Sequence, residues 1–385
     1  MVAPDGQPAP DAKVRIAIPE SEIVVSTSVE GSFALRDLAP GTYVLVADGA
    51  DGRSAGRSSV DVLPGRAARA TITLQLVFSE DVVVSESRAG QLRHETPASV
   101  GAVTRGDLAL VKPSHPSEIL GSVPGVWVGI TAGEGHQTAI RQPLTTNPVY
   151  LFLEDGVPTR STGFFNHNAL YEIDVPSADG IEVTRGPGSA LYGSDAIGGV
   201  VNVLTRSALE RTGVSGTLEG GGDGWKRMLA DANWSTGAHG VRGTINLTQA
   251  DGWRDQTGYD RQSGTLRWDW LRGSALTKTL LSVNRIDQQT AGSSALPELD
   301  FLFDASANLT PISCRAVEAV RLSIDHQRMI GQATFSVVPY YRYDSMSLLP
   351  NWTLTFDPTV YTTDNHSLGV LAKLRRDLTR WRAAV

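Results

Sequence analysis

In the C-terminal part of the chain, apolar and polar residues alternate at every second position. Val241, Gly243, Ile245 and Leu247 share one face of an extended segment, and Arg242, Thr244, Asn246 and Thr248 share the other. Leu266, Trp268 and Trp270 alternate with Thr265, Arg267 and Asp269; Leu368, Val370, Ala372 and Leu374 repeat the pattern. The period of two predicts about eight or nine strands after Thr205, each with one apolar and one polar face. Shorter alternating runs occur near the start, at 14–18, 32–35, 43–47, 58–62 and 70–76, separated by turn pairs such as Pro40-Gly41, Asp51-Gly52 and Pro64-Gly65. Closely spaced short strands between such turns predict a small β-sandwich over residues 1–77.

The middle of the chain mixes element types. A short strand is expected at 96–100. A helix is expected at 114–120, with Ser114 as its cap and Glu118 in its first turn. Strands follow at 126–130, 138–141 and within 147–158, where Asp155-Gly156 makes a turn. At 181–184 and 200–204 two strand-like runs flank a segment rich in glycine and small residues, which implies tight turning and close backbone approach.

Composition narrows the possibilities. A chain of 385 residues accommodates two or three domains, and 41% hydrophobic content supplies a core. The net charge of -7 argues against a general nucleic-acid binder. Cys314 is the only cysteine, which excludes an internal disulfide and a cysteine-based zinc site. No apolar run is long enough for a transmembrane helix. Membrane strands need no such run, because their lipid-facing and lumen-facing residues alternate. The opening Met1-Val-Ala-Pro-Asp-Gly has no basic and apolar leader, so a trimmed form or a misplaced start is expected.

Catalytic chemistry is not visible. The histidines His94, His115, His136, His167, His239, His326 and His366 are scattered, none with an i, i+4 partner. The segment 186–193 has the glycines of a phosphate loop without its lysine, and Pro187 removes a backbone donor. Ser189 lies in no nucleophile elbow. The expectation is a non-enzyme with no cofactor and no metal site.

The run IEVTRGPGSALYGSDAIGGVVNVLT at 181–205 closely resembles the signature that ends the plug domain of TonB-dependent outer-membrane receptors. GSVPGVWV at 121–128, TAIRQ at 138–142 and NPVYLFLEDGVP at 147–158 resemble further phrases of that domain, in the same order. GSFALRDLAPGTY at 31–43 resembles the centre of carboxypeptidase-regulatory-like domains, with no peptidase chemistry attached. The implied fold class is mostly β: an N-terminal β-sandwich (1–77), a linker (78–93), an α+β plug (94–206) and the first strands of an antiparallel transmembrane barrel (207–385). Plugged barrels of this kind have about 22 strands, so the chain is expected to be a fragment of a longer receptor.

The resemblance implies import of a scarce ligand, such as a siderophore–iron chelate or cobalamin, across the outer membrane of a Gram-negative bacterium. A non-transporting surface or signalling receptor is the alternative. The implied partners are a TonB-type periplasmic energy-coupling protein, outer-membrane lipid and an extracellular small molecule or metal chelate. Asp81, Val82, Val83, Val84 and Ser85 resemble a TonB box, which would be captured as an added strand through main-chain hydrogen bonds. Three loops match the positions at which plugs of the family face the ligand. They supply Glu134 and His136, then Thr145 and Thr146, then Phe164, Phe165, Asn166, His167 and Asn168. The phenylalanines either stack on a ligand or pack on the barrel wall, and the asparagines either bind or make turns. Arg141 and Arg185 follow short apolar strands, so each is expected at the plug–barrel boundary, where burial requires a carboxylate partner. The resemblance implies barrel glutamates, latching the plug; Glu182 joins this set or pairs locally with Arg185.

Overall fold

In the computed structural model, the chain is described apart from residues 4–6, 17–23, 37, 39–40, 51–53, 64, 77–81, 84–90, 93–98, 146, 148, 162–165, 237, 274, 291–295, 331–332, 350–358, 378–381 and 385. The N-terminal strands are β1 (Lys13–Ile16), β2 (Val24–Ser26), β3 (Gly41–Asp48), β4 (Ser54–Val62) and β5 (Gln75–Leu76). Where the alternation predicts two facing sheets, the described residues form one sheet of order β2-β1-β3-β4-β5. Val14, Ile16, Leu45 and Ala47 bury one face of it against Ile72 and Leu74. Val2 fixes that covering segment by donating to Ile72 O and accepting from Leu74 N. Residues 32–35 form no strand; Ser28 and Ser32 instead close a turn through their hydroxyls at 2.8 Å.

Two short strands, β6 (Val82–Val83) and β7 (Gln91–Leu92), pair antiparallel. Val82 and Val83 of the TonB-box-like segment are therefore already strand-paired within the chain, whereas Asp81, Val84 and Ser85 lie outside the described residues.

The central unit begins with β8 (Val100–Thr104) and a helix the alternation did not reveal, α1 (Arg105–Val111). Thr104 and Asp107 form a reciprocal capping box, Thr104 Oγ1 accepting from Asp107 N while Asp107 Oδ2 accepts from Thr104 N. α2 (Pro116–Leu120) follows, capped by His115 and not by Ser114, with proline in its first turn. The hydroxyl and amide of Ser114 both donate to Glu118. β9 (Val126–Ala132) and β10 (Gly135–Ile140) make a separate hairpin. β11 (Tyr150–Glu154), β12 (Val157–Pro158), β13 (Ala178–Arg185) and β14 (Gly199–Thr205) complete a sheet of order β12-β11-β14-β13-β8, with α3 (Ser189–Tyr192) between β13 and β14. Only β11 and β14 run parallel. Ile119, Leu120, Ile140, Phe152, Leu170, Ile181, Val183 and Val201 build its core.

Nine strands then form one open antiparallel sheet in chain order: β15 (Gly213–Gly220), β16 (Lys226–Ser235), β17 (His239–Ala250), β18 (Tyr259–Arg272), β19 (Ala275–Gln289), β20 (Cys314–Ile330), β21 (Ala333–Leu349), β22 (Tyr361–Asp377) and β23 (Arg382–Ala384). A short helix, α4 (Glu298–Phe303), lies between β19 and β20. β20, β21 and β22 have 17 residues each, longer than the roughly 9–11 needed to cross a bilayer. Along β17 the burial pattern alternates strictly through the polar face, with Arg242, Thr244, Asn246 and Thr248 buried and Val241, Ile245 and Leu247 exposed. The polar face thus looks onto the central unit. This inverts a water-soluble sheet and suits a wall whose outer side meets lipid.

Candidate functional site: the contact between the central unit and the nine-stranded wall

Six inward arginines of the wall reach main-chain carbonyls of the central unit or of the segment leaving it. Arg227 donates to Pro113 O at 2.6 Å, Arg261 to Ile173 O at 2.6 Å and Arg321 to Glu172 O at 2.6 Å. Arg342 donates to Pro158 O at 2.9 Å, and Arg267 and Arg242 to Thr205 O and Ser207 O, each at 2.7 Å. A guanidinium suits this task because it carries five donors in a rigid plane and keeps its charge. The carbonyls lie at ends of the central strands and turns, where the sheet ladder leaves acceptors free.

Carboxylates neutralise these cations from both sides. Arg261 pairs with Glu134 at 2.9 Å and Arg321 with Glu154 at 3.0 Å, all four side chains being almost fully buried. Ser282 donates to the same Glu154 oxygen at 2.8 Å. At the other end, Glu210 joins Arg105 of α1 to Arg242 of the wall at 3.0 and 2.9 Å. Asp269 accepts from Ala208 N at 2.9 Å and pairs with Arg267 at 2.8 Å. Removing one member of such a buried pair strands the other, which is far costlier than losing a surface pair.

Behind the contact lies Arg160, the largest fully buried side chain among the described residues. It pairs with Glu172 at 2.6 Å and donates to Asn168 Oδ1 at 3.1 Å and Tyr171 Oη at 3.0 Å. Burial opposes its charge, but Glu172 and Tyr171 outweigh that penalty and hold its pKa above the ordinary value. Glu172 also lies 3.6 Å from Arg321, so the charges run unbroken from the core of the central unit to the wall. Near α2, burial lowers the pKa of His115, against the nearby Glu134 and its backbone. Asp179, paired with Arg105 at 2.9 Å, is raised by burial, which Arg105 only partly offsets.

The residues expected to face a ligand divide. Glu134 and His136 are buried: Glu134 binds Arg261, and His136 Nδ1 lies 3.0 Å from Glu134 O with its ring edge-on to Tyr171. The expected loop at 131–136 is only the tight end of the β9–β10 hairpin, which seats these side chains inward. Asn168 is also buried, held by Arg160. Thr145 closes a local turn by accepting from Asn147 N at 3.0 Å. Asn166 and His167 open a 3-10 turn that runs to Glu172. Thr146, Phe164 and Phe165 lie outside the described residues.

The expected latch is corrected in its residues. Arg141, exposed and in the left-handed region at φ 54°, donates to Ser99 Oγ at 3.2 Å, and Arg185 donates to Pro124 O at 2.7 Å, all within the central unit. Glu182 is buried within β13. Of the arginine–carboxylate pairs that cross the boundary, Arg261–Glu134 and Arg321–Glu154 have the arginine on the wall, whereas Arg206, at the end of the central unit, lies 3.7 Å from Asp231 of β16. The wall arginines were legible as polar residues on one strand face. The carboxylate partners of Arg261 and Arg321 lie more than a hundred positions away in sequence and gave no local signal.

The apex of the contact is the β9–β10 turn. The wall has short connections at one end (236–238, 273–274) and longer ones at the other (251–258, 290–313). Glu134 N donates to Gln288 Oε1 at 3.3 Å, and a side chain at Gly133 (φ +50°) would lie 3.2 Å from Tyr259. The turn is therefore at the long-connection end.

Residues 93–200 match the TonB-dependent Receptor Plug Domain family, and residues 2–75 the Carboxypeptidase regulatory-like domain family. A vitamin B12 transporter of Vibrio vulnificus (strain CMCP6), BtuB, is 34% identical over 186 residues, covering 47% of this chain and 29% of that protein. The chain thus spans about a third or less of the length of the curated relatives it matches. Among solved structures, the unliganded ferric citrate transporter FecA superposes with a TM-score of 0.64 at 17% identity, covering 73% of this chain and 45% of that one. The ferripyoverdine receptor of the outer membrane of Pseudomonas aeruginosa gives 0.63 at 15% identity, covering 83% and 46%. These structures share the fold: a plug seated against an antiparallel wall.

Proposed function

We propose that the chain is the plug-bearing part of a TonB-dependent receptor, an outer-membrane transporter that imports a scarce small ligand into the periplasm. The ligand class is a metal chelate or corrinoid, by likeness to the relatives above. Residues 1–77 form the periplasmic regulatory-like domain, 78–93 the linker, 94–206 the plug and 207–385 the start of the barrel. The single observation that carries this reading is the set of six wall arginines seated on plug and connector carbonyls: it holds a separate folded unit inside a wall whose other face is apolar.

The long-connection end faces outward, because outer-membrane barrels keep short turns in the periplasm. Ligand is received there, at the β9–β10 turn and the segments holding Thr145, Thr146, Phe164, Phe165, Asn166 and His167. A TonB-type partner captures the chain around Val82–Val83 in place of its pairing with Gln91–Leu92, and pulls. Since that pull supplies the energy, the chain needs no hydrolytic centre of its own.

Uptake of radiolabelled cyanocobalamin and of ferric chelates by cells expressing the receptor, with and without the TonB-type protein, tests the reading. Accumulation that requires both proteins is expected. Ligand binding without any partner-dependent accumulation would contradict import.

A further inference from the structure

One inward arginine departs from the pattern. Arg315 is the second residue of β20 and shares the inward face with Val317, Ala319 and Arg321. Six wall arginines satisfy plug or connector carbonyls. The Nε and Nη1 of Arg315 are shielded from solvent and have no hydrogen-bond partner among the described residues. Its guanidinium lies 5.8 Å from the centroid of the Tyr171 ring, a contact that offsets part of its charge and leaves its donors unused.

The placement is specific. A side chain added at Gly135 would come within 2.7 Å of Arg315 Nη1, so the bare turn leaves the guanidinium room at the apex. Gln288, paired in register with Arg315, is committed elsewhere: its Oε1 accepts from Glu134 N, and its Nε2 donates to Ala132 O at 3.2 Å. The nearby carboxylate of Glu134 is taken by Arg261. The apex thus combines a held hairpin turn, an aromatic ring and a cation with two donors that the described residues leave unused. A guanidinium in that state is complementary to an oxyanion such as a carboxylate or phosphate.

We propose that Arg315 is the ligand's oxyanion contact, so that the imported molecule presents a carboxylate or phosphate edge to the plug apex. This rests on the import reading above and narrows it from any chelate or corrinoid to one bearing an oxyanion. Arg315 is a binding residue in this account, and Tyr171 beneath it is a positioning residue that also holds Arg160 of the plug core.

The test is calorimetric titration of the purified receptor in detergent with three probes: ferric citrate (carboxylates), cyanocobalamin (a phosphodiester) and ferrichrome (a neutral hydroxamate chelate). At least one oxyanion probe is expected to bind, with affinity that falls as salt rises. Arg315→Ala should weaken that probe by about ten-fold or more, the worth of a bond to a charged group, and flatten the salt dependence. Arg315→Lys should recover part of the affinity. Carboxylate and phosphate are separated by which probe binds. Unchanged affinity in Arg315→Ala, absence of binding by both oxyanion probes, or ferrichrome binding as tightly as either would overturn the proposal. Partner-dependent ferrichrome uptake with no oxyanion binding would sink this inference and leave import standing. Arg315-sensitive binding without uptake would do the reverse.

Discussion

On the outward face of the nine-stranded sheet, Leu266, Val283 and Leu322 stand exposed; one residue along each strand, Arg267, Ser282, Asn284 and Arg321 are buried against the plug or within the wall. The same period of two generates both faces, yet they constrain sequence differently. A lipid-facing position needs only to be apolar, because hydrocarbon has no directional partner to satisfy. A plug-facing arginine must reach one particular carbonyl while its charge is matched, so its identity and its register are both fixed. The outer face therefore encodes a solvent, and the inner face encodes a partner.

The comparison breaks most visibly at Arg321. Arg321→Ala leaves Glu154 buried without its cation and removes the second cation beside Glu172, an expected loss of about 3–5 kcal/mol. Urea unfolding of the protein in lipid vesicles, followed by tryptophan emission, measures it. A charge placed on the opposite face comes next: Val370→Arg should cost about 2–4 kcal/mol if that position lies near the bilayer midplane, and much less if it meets water. The same titration separates the two.

A smaller, pH-dependent effect sharpens the plug side. Burial lowers the pKa of His115 below 6.5, and its Nδ1 accepts from Ser117 N to cap α2. The unfolded imidazole then takes up a proton below pH 6.5 that the folded one resists. Stability should be full above that value, fall as the pH drops beneath it, and level off below the folded pKa. His115→Asn, a cap with no titrating group, should lose this component of the slope below pH 6.5 in thermal melts. The smallest change is expected at Arg141→Ala. Its exposed bond to Ser99 should make the melting shift correspond to no more than about 0.5 kcal/mol. A loss approaching that of Arg321→Ala would restore the plug-arginine latch.

Much of the fold was legible because it repeats locally. The alternation at 241–248, the turn pairs of the N-terminal sheet and the glycine-rich run between β13 and β14 each reveal their element within a short window. Helix α1 was hidden because its signal is a capping box of threonine and aspartate, not a long apolar stripe. The candidate site was less legible. Glu134 and His136 read as ligand-facing because their loop between two strands matches a position at which plugs of the family face the ligand. The pairing of β9 with β10 turns them inward, where Arg261 of the wall meets Glu134. Arg141 and Arg185 attracted attention as cations beside apolar strands, but whether an arginine latches depends on which surface faces it across a long sequence gap. Arg315 looks like its neighbours in sequence and is distinguished only by where the hairpin places Gly135.

The central claim is that wall arginines grip plug carboxylates, and a double-mutant cycle between Arg321 and Glu154 tests it most directly. Unfolding free energies of Arg321→Ala, Glu154→Ala and the double variant, measured in the same vesicles, should give a coupling within the ~0.5–3 kcal/mol range of contacting pairs, with the double variant less destabilised than the sum of the singles. Additive losses, with coupling indistinguishable from zero, would contradict the grip.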